Sequence, residues 1–304
     1  MNMKIRTSVY FLSLLMVLTA TAAGTKTKPV KHSFLATGGE TRLISEDGQV
    51  TWRYDLSTRD GWVLKNENIL LAVSKGKEFP GGGVVEVDQR GRTHFKWTGS
   101  QEEVNTVQML DKNRLLVTEA GPKPRILEID RAGKTLIEVP IQCQLTNFHM
   151  QSRMTRKLAN GNYLVPQLFD KVVREYDAQG RIAWEAKTPN WPFTAIRLPN
   201  GNTLVGCTYG NLVVEFNPKA EIVWQVSNDD FPEKPFKDAC GVQRLPNGNT
   251  MVTSYGAKPG ETRLTEITRD KKIVWTYTDT RPSSIHHFQI LSTNGKKVKR
   301  AAMR

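Results

Sequence analysis

An all-β protein, a six-bladed β-propeller of four-stranded antiparallel blades, is what this 304-residue sequence predicts. Three observations carry that reading. A turn phrase, Leu198-Pro199-Asn200-Gly201-Asn202, returns as Leu245-Pro246-Asn247-Gly248-Asn249 and Leu158-Ala159-Asn160-Gly161-Asn162, and more loosely at Leu64–Asn68 and Leu110–Arg114. A large apolar residue then stands four places after a second turn: Trp52, Phe95, Ile137, Trp184, Trp224 and Trp275, at separations of 43, 42, 47, 40 and 51 residues. Repeats of about 40–45 residues built from short strands are propeller blades, not helical pairs. Lastly, the two ends of the chain each supply part of one blade.

The clearest unit runs from Arg197 to Val226. Its apolar runs NTLVGC, LVVEF and EIVWQV have the β-branched content and near-alternation of half-buried strands, and a fourth strand precedes them. Asn200-Gly201 can take the positive φ angles of a tight hairpin turn. The unit is an antiparallel meander.

In chain order, residues 1–22 read as a signal peptide: Lys4 and Arg6, an apolar run from Val9 to Leu18, then Ala20-Thr21-Ala22. The run is too short for a permanent transmembrane anchor, so the protein is expected to be exported, periplasmic or secreted. Residues 23–32 form a basic stub, 33–295 the propeller, and 296–304 a basic, disordered tail. The net charge of +13 resides mostly in these ends, because residues 33–295 carry 33 basic and 30 acidic side chains. A balanced body with basic ends gives no reason to expect specific nucleic-acid binding. Three cysteines, Cys143, Cys207 and Cys240, show no CxxC spacing, so no metal site is expected.

Residues 33–55 hold three strands and lack an innermost one. The run Ile285–Leu291 supplies it when Gln289 is set against Gln243, so the C-terminal strand completes the N-terminal blade and removes the free sheet edge. The other blades fall at about 60–98, 104–141, 150–187, 192–227 and 237–279. Trp52, Trp184, Trp224 and Trp275 are expected to be largely buried between blades.

The Asn-Gly turns crowd one face of the ring, and the longer loops gather on the other, including 75–83 and 257–262. The long-loop face is the candidate site. The innermost strands open onto it at Asp60-Gly61-Trp62, Asn105-Thr106-Val107, Arg153-Met154-Thr155, Phe193-Thr194-Ala195, Cys240-Gly241-Val242 and His286-His287-Phe288. Residues there that the repeat does not require are the ligand-binding candidates: His286, His287, His149, Arg153, Tyr209 and Tyr255. The expected partner is a small molecule, a glycan or a protein, bound by a monomer.

The phrase Leu-Pro-Asn-Gly-Asn-Thr-Leu-Val with Val-Val-Glu-Phe-Asn and Ile-Val-Trp resembles the blades of PQQ-like (quinoprotein-like) and arylsulfotransferase-like propellers, especially exported bacterial ones. The resemblance covers nearly the whole chain that would remain after removal of the expected signal peptide. The blade-locking Ala-x-Asp and Thr-Gly elements of quinoprotein dehydrogenases are absent, so PQQ is not the favoured cofactor and none is assigned. The arylsulfotransferase likeness implies histidines at inner-strand starts, one accepting a sulfuryl group while neighbouring cations stabilise the oxyanion. On that reading His287, His149 and Arg153 would be the catalytic candidates. With four inner strands lacking a His, a non-catalytic binding propeller is the leading expectation and an enzyme the alternative.

Overall fold

The computed structural model describes residues 29–298, and the expected signal peptide lies outside them. Six antiparallel sheets stand in a ring. Blade 1 is the composite one: innermost Ile285–Thr293, then His32–Gly38, Thr41–Ile44 and Val50–Tyr54. Blades 2 to 6 open with Thr58–Val63, Glu103–Met109, Arg156–Lys157, Pro192–Arg197 and Ala239–Arg244, each followed by three strands in order. The closing strand pairs from His32↔Thr293 to Gly38↔Ile285.

The expected register of closure is matched by a hydrogen bond that repeats around the ring. Gln243 Oε1 accepts the Ile290 N–H at 2.9 Å, Gln289 Oε1 accepts the Val63 N–H at 2.8 Å, and Gln108 Oε1 accepts the Lys157 N–H at 3.0 Å. Each glutamine uses its side chain to bond the next blade's innermost strand, so Gln243 and Gln289 hold equivalent places.

Two expectations need correction. The propeller extends past Gly295: Lys296–Lys297 pair with Ser292 and Thr293, and Val298 packs beside Leu245 and Ile290, so this part of the supposed tail is ordered by main-chain pairing. At the other end His32 is already in a strand. Blade 4 has an innermost strand of only two residues, and Arg153-Met154-Thr155 precede it. Pro166, on the facing strand, has no N–H to donate, which ends the ladder beyond Arg156↔Leu164. The four tryptophans are partly exposed at their edges and otherwise buried, each packed as expected against a core cluster shared by two adjacent blades. Their rings close the outer rim: Trp184 and Trp224 donate Nε1–H to the carbonyls of Pro218 and Arg269 at 2.9 Å, and Arg197 and Arg244 lie over their faces.

A buried glutamate on the third strand of five blades, Glu86, Glu128, Glu175, Glu215 and Glu266, ties the scaffold together. Glu215 accepts from Asn202 of its own blade's Asn-Gly turn at 2.8 Å and from Arg244 of the next blade at 2.8 Å, with Arg269 also in contact. Glu266 accepts from Asn249 and pairs with His32 at 2.7 Å across the closure seam. Such carboxylates are tolerated in the interior because every oxygen is paired. The turns themselves need left-handed backbone: Gly48, Gly91, Gly133 and Gly180 take φ of 77–81°, and Ala220 and Lys271 are held near 60° at the same place in blades 5 and 6.

Candidate functional site at the long-loop mouth of the channel

At the long-loop face the starts of the innermost strands bring together side chains from all parts of the ring. Each is aimed by its strand, and the strands converge because the blades do. His286 is 8% exposed and lies in a stack: the Tyr255 ring is 4.3 Å away at 18°, and Phe193 is 6.2 Å away at 3°. Arg153, 1% exposed, sits with its guanidinium 5.9 Å over the Phe193 ring. The Arg153 segment reaches this position because the chain before it makes a short 3-10 turn, Phe148–Met150, and because Met154 takes φ 27°.

Glu103 anchors the charged half of the mouth. His149 Nδ1 is 2.8 Å from its carboxylate, with Arg59 Nη2 at 3.8 Å and Arg153 Nη2 at 4.0 Å. Burial opposes ionisation of Glu103, but the His149 hydrogen bond and the charges of Arg153 and Arg59 outweigh it and hold its pKa at about 2. The same surroundings act on His286 in the opposite sense. Burial first, then the positive charges of Arg59 and Arg153, lower it to about 3, so its imidazole is neutral at physiological pH. Arg153 is itself pulled down to about 10 by burial and by Arg59.

Tyr209 is 60% exposed and meets Trp191 edge-on at 4.9 Å, which raises an aromatic rim beside the stack. Tyr209 holds φ 48°, an unfavourable angle for a side-chain-bearing residue. Several buried polar atoms of the ring meet no hydrogen-bond partner among the described residues, and two of them, Arg153 Nε and His286 Nδ1, belong to the aromatic stack at the mouth. Such atoms are the ones that water or a ligand can engage.

Of the six residues singled out from sequence, His286, Tyr255, Arg153 and His149 are brought together, and Tyr209 borders them. His287 is not. It is fully buried against Asp60, Nδ1 to Oδ1 3.8 Å, and Asp60 is clamped by Arg156 at 2.8 and 3.2 Å. The adjacent residue, His286, is the one that faces the aromatic rings. Arg59, Glu103 and Trp191 escaped the sequence reading because they precede the aligned triplets by one or two positions, where bulges between Thr58 and Asp60 and between Val104 and Thr106 shift the register. The opposite face has a groove of about 640 Å³ lined by Trp62, Leu64, Met109, Leu110, Lys112 and Arg131. Its walls are turn and inter-blade positions that the repeat explains.

No family model matches the chain, and no curated protein matches it. Solved structures do. A protein of unknown function from Bacteroides caccae has a TM-score of 0.75 at 24% identity, covering 85% of this chain and 98% of its own. Virginiamycin B lyase from Staphylococcus aureus, as a catalytically inactive histidine-to-alanine variant with quinupristin, has a TM-score of 0.57 at 14% identity over 86% of this chain and 92% of its own. The WD40 β-propeller domain of Doa1 has a TM-score of 0.58 at 12% identity, covering 85% and 84%. The chain is a six-bladed β-propeller, and a lyase is among its structural neighbours. At these identities the likeness defines the fold only.

Proposed function

We propose that this protein is an exported propeller that captures a small ring-shaped ligand, a sugar or glycan end, at the long-loop mouth. One observation carries the reading: a neutral His286, stacked on Tyr255, keeps Nδ1 unpaired beneath an exposed Tyr209–Trp191 rim. A stack of flat rings beside unpaired polar atoms suits a ligand with an apolar face and hydroxyl edges. Export rests on the N-terminal pattern of Lys4, Arg6 and the Val9–Leu18 run. The test is calorimetric titration of the mature protein with mono- and disaccharides. Tyr255→Ala should abolish binding with little change in melting temperature, and retained binding in that variant would remove the mouth from consideration.

A second reading is favoured by the Glu103–His149 pair. A carboxylate bonded to Nδ1 fixes an imidazole's tautomer and leaves Nε2 able to take a proton from a bound molecule, as a general base does. His149 is half exposed at the mouth. In that case the propeller is an enzyme, as the neighbouring lyase is, and His149→Ala would leave ligand affinity intact while abolishing turnover of the ligand. Unchanged ligand after prolonged incubation with the intact protein would reject it.

A further inference from the structure

Resting on the mouth as the binding site, we infer that the ligand is an acidic sugar, a hexuronate or a glycan ending in one, with its carboxylate at Arg59 and Arg153 and a hydroxyl hydrogen-bonded to His286 Nδ1. The charge balance comes first. Two guanidiniums face one carboxylate, and His149 already hydrogen-bonds Glu103 at 2.8 and 3.1 Å. The arginines stand 3.8 and 4.0 Å from it, beyond hydrogen-bond reach. Arg153 gives one hydrogen bond, to the Ser152 carbonyl, and its Nε has no partner. Around Glu103 the guanidiniums thus exceed the carboxylate by one positive charge, while the other carboxylate acting at this mouth, Asp238, bears on Tyr209 and Cys240; in a site of low exposure an anion is held far more strongly than in water.

The second strand of the argument concerns His286. Its Nδ1 is buried and meets no hydrogen-bond partner among the described residues. A ligand hydroxyl can meet that nitrogen in either tautomer, donating to a bare nitrogen or accepting from an N–H. The ligand accordingly needs an anion and a hydroxyl on one ring, with a face to lie along Tyr255, Tyr209 and Trp191. Uronic acids carry all three, whereas neutral sugars lack the anion.

Calorimetric titration with glucuronate and galacturonate, against glucose, galactose and glucuronate methyl ester, tests this directly. The acids should bind at least tenfold more tightly than the neutral compounds, and that advantage should shrink as salt rises from 50 to 500 mM. Arg59→Gln should reduce the acids to the affinity of the ester; Arg59 is less buried than Arg153, so this variant keeps the fold at lower risk, and Arg153→Gln is the second variant. Equal affinity for acids and neutral sugars would overturn the acidic-sugar inference while leaving sugar capture standing. Binding of 4-hydroxybenzoate without either uronate would overturn it in favour of an aromatic acid. Acid binding unchanged in both arginine variants would overturn it as well, and no binding of any compound would defeat the mouth reading itself.

Discussion

Removing the closing strand should unfold the whole ring, because one strand serves as the innermost layer of blade 1 and as the packing partner of blade 6. A chain ending at Ser284 loses Ile285, Phe288 and Ile290, none more than 1% exposed, from a cluster that includes Phe34 of blade 1 and Leu245, Met251 and Leu264 of blade 6. Large-to-small changes at such positions cost about 2–5 kcal/mol each. Three of them, together with the main-chain pairing to His32–Gly38, reach roughly 10 kcal/mol, which is comparable to the total stability of a typical protein, about 5–15 kcal/mol. The assay is thermal unfolding followed by circular dichroism, with limited proteolysis at 25 °C. The truncated chain should show no cooperative transition and rapid cleavage throughout. A melting temperature within a few degrees of the full chain would refute the composite blade. A chain ending at Gly295 should instead lose only about 1 kcal/mol, for the short pairing of Lys296–Lys297 and the Val298 contact.

Glu215→Ala leaves Asn202 and two arginines without their acceptor in a buried place, so urea unfolding should report a loss of about 3–5 kcal/mol, and a loss below 1 would mean the glutamate ties are ornamental to stability. Ala220→Gly should stabilise by about 1 kcal/mol, since a residue at φ 63° gives way to one that takes this angle freely, as Gly180 does; a decrease in the urea midpoint would contradict that. Stability should fall in acid. The folded pKa of His286, about 3, lies below its ordinary 6.5, and that of Glu103, about 2, below 4.5, so both bind protons more readily when unfolded. The His286 contribution is fully present above pH 6.5 and is lost as pH drops toward 3, on the order of 4 kcal/mol. His286→Asn should flatten the unfolding profile between pH 6 and 4, and an unchanged slope would place the acid sensitivity elsewhere.

The fold was legible because the features that specify it repeat. Asn-Gly turns and the Trp four places after the second turn recur at blade spacing, and each reflects a backbone angle or a packing surface that every blade requires. The match of Gln289 with Gln243 revealed the closure for the same reason: both glutamines make one hydrogen bond to the next blade. What repeats as a residue type need not repeat as an environment, however. Trp184 and Trp224 occupy the expected rim positions, and what the neighbouring blade lays over each ring is an arginine, Arg197 or Arg244, a partner that the repeat does not reveal. The glutamates of the third strands also repeat, and their burial was not visible because a Glu in an alternating strand reads as solvent-facing until its basic partner is known, 22 residues away for Glu175 and 29 for Glu215, on the next blade.

The site was half legible. Histidines foreign to the repeat marked the right strand, but a period of two along that strand decides which neighbour faces the mouth, and bulges at the strand starts alter that parity. His286 rather than His287 faces the rings for this reason, and Glu103 and Arg59 were missed by one or two positions. The irregular stretch before Arg156 arises from Pro166, a single residue whose effect lies on a different strand.

Hydrogen–deuterium exchange with and without saturating glucuronate tests the central claim, that function resides at the long-loop mouth and the rest is scaffold. The account predicts protection confined to segments around Arg59, Glu103, residues 149–154, residues 191–193, Tyr209, Tyr255 and His286, with the Asn-Gly turns at 199–202 and 246–249 unchanged. Protection concentrated instead in the groove formed by Trp62, Met109 and Arg131 on the opposite face would contradict it.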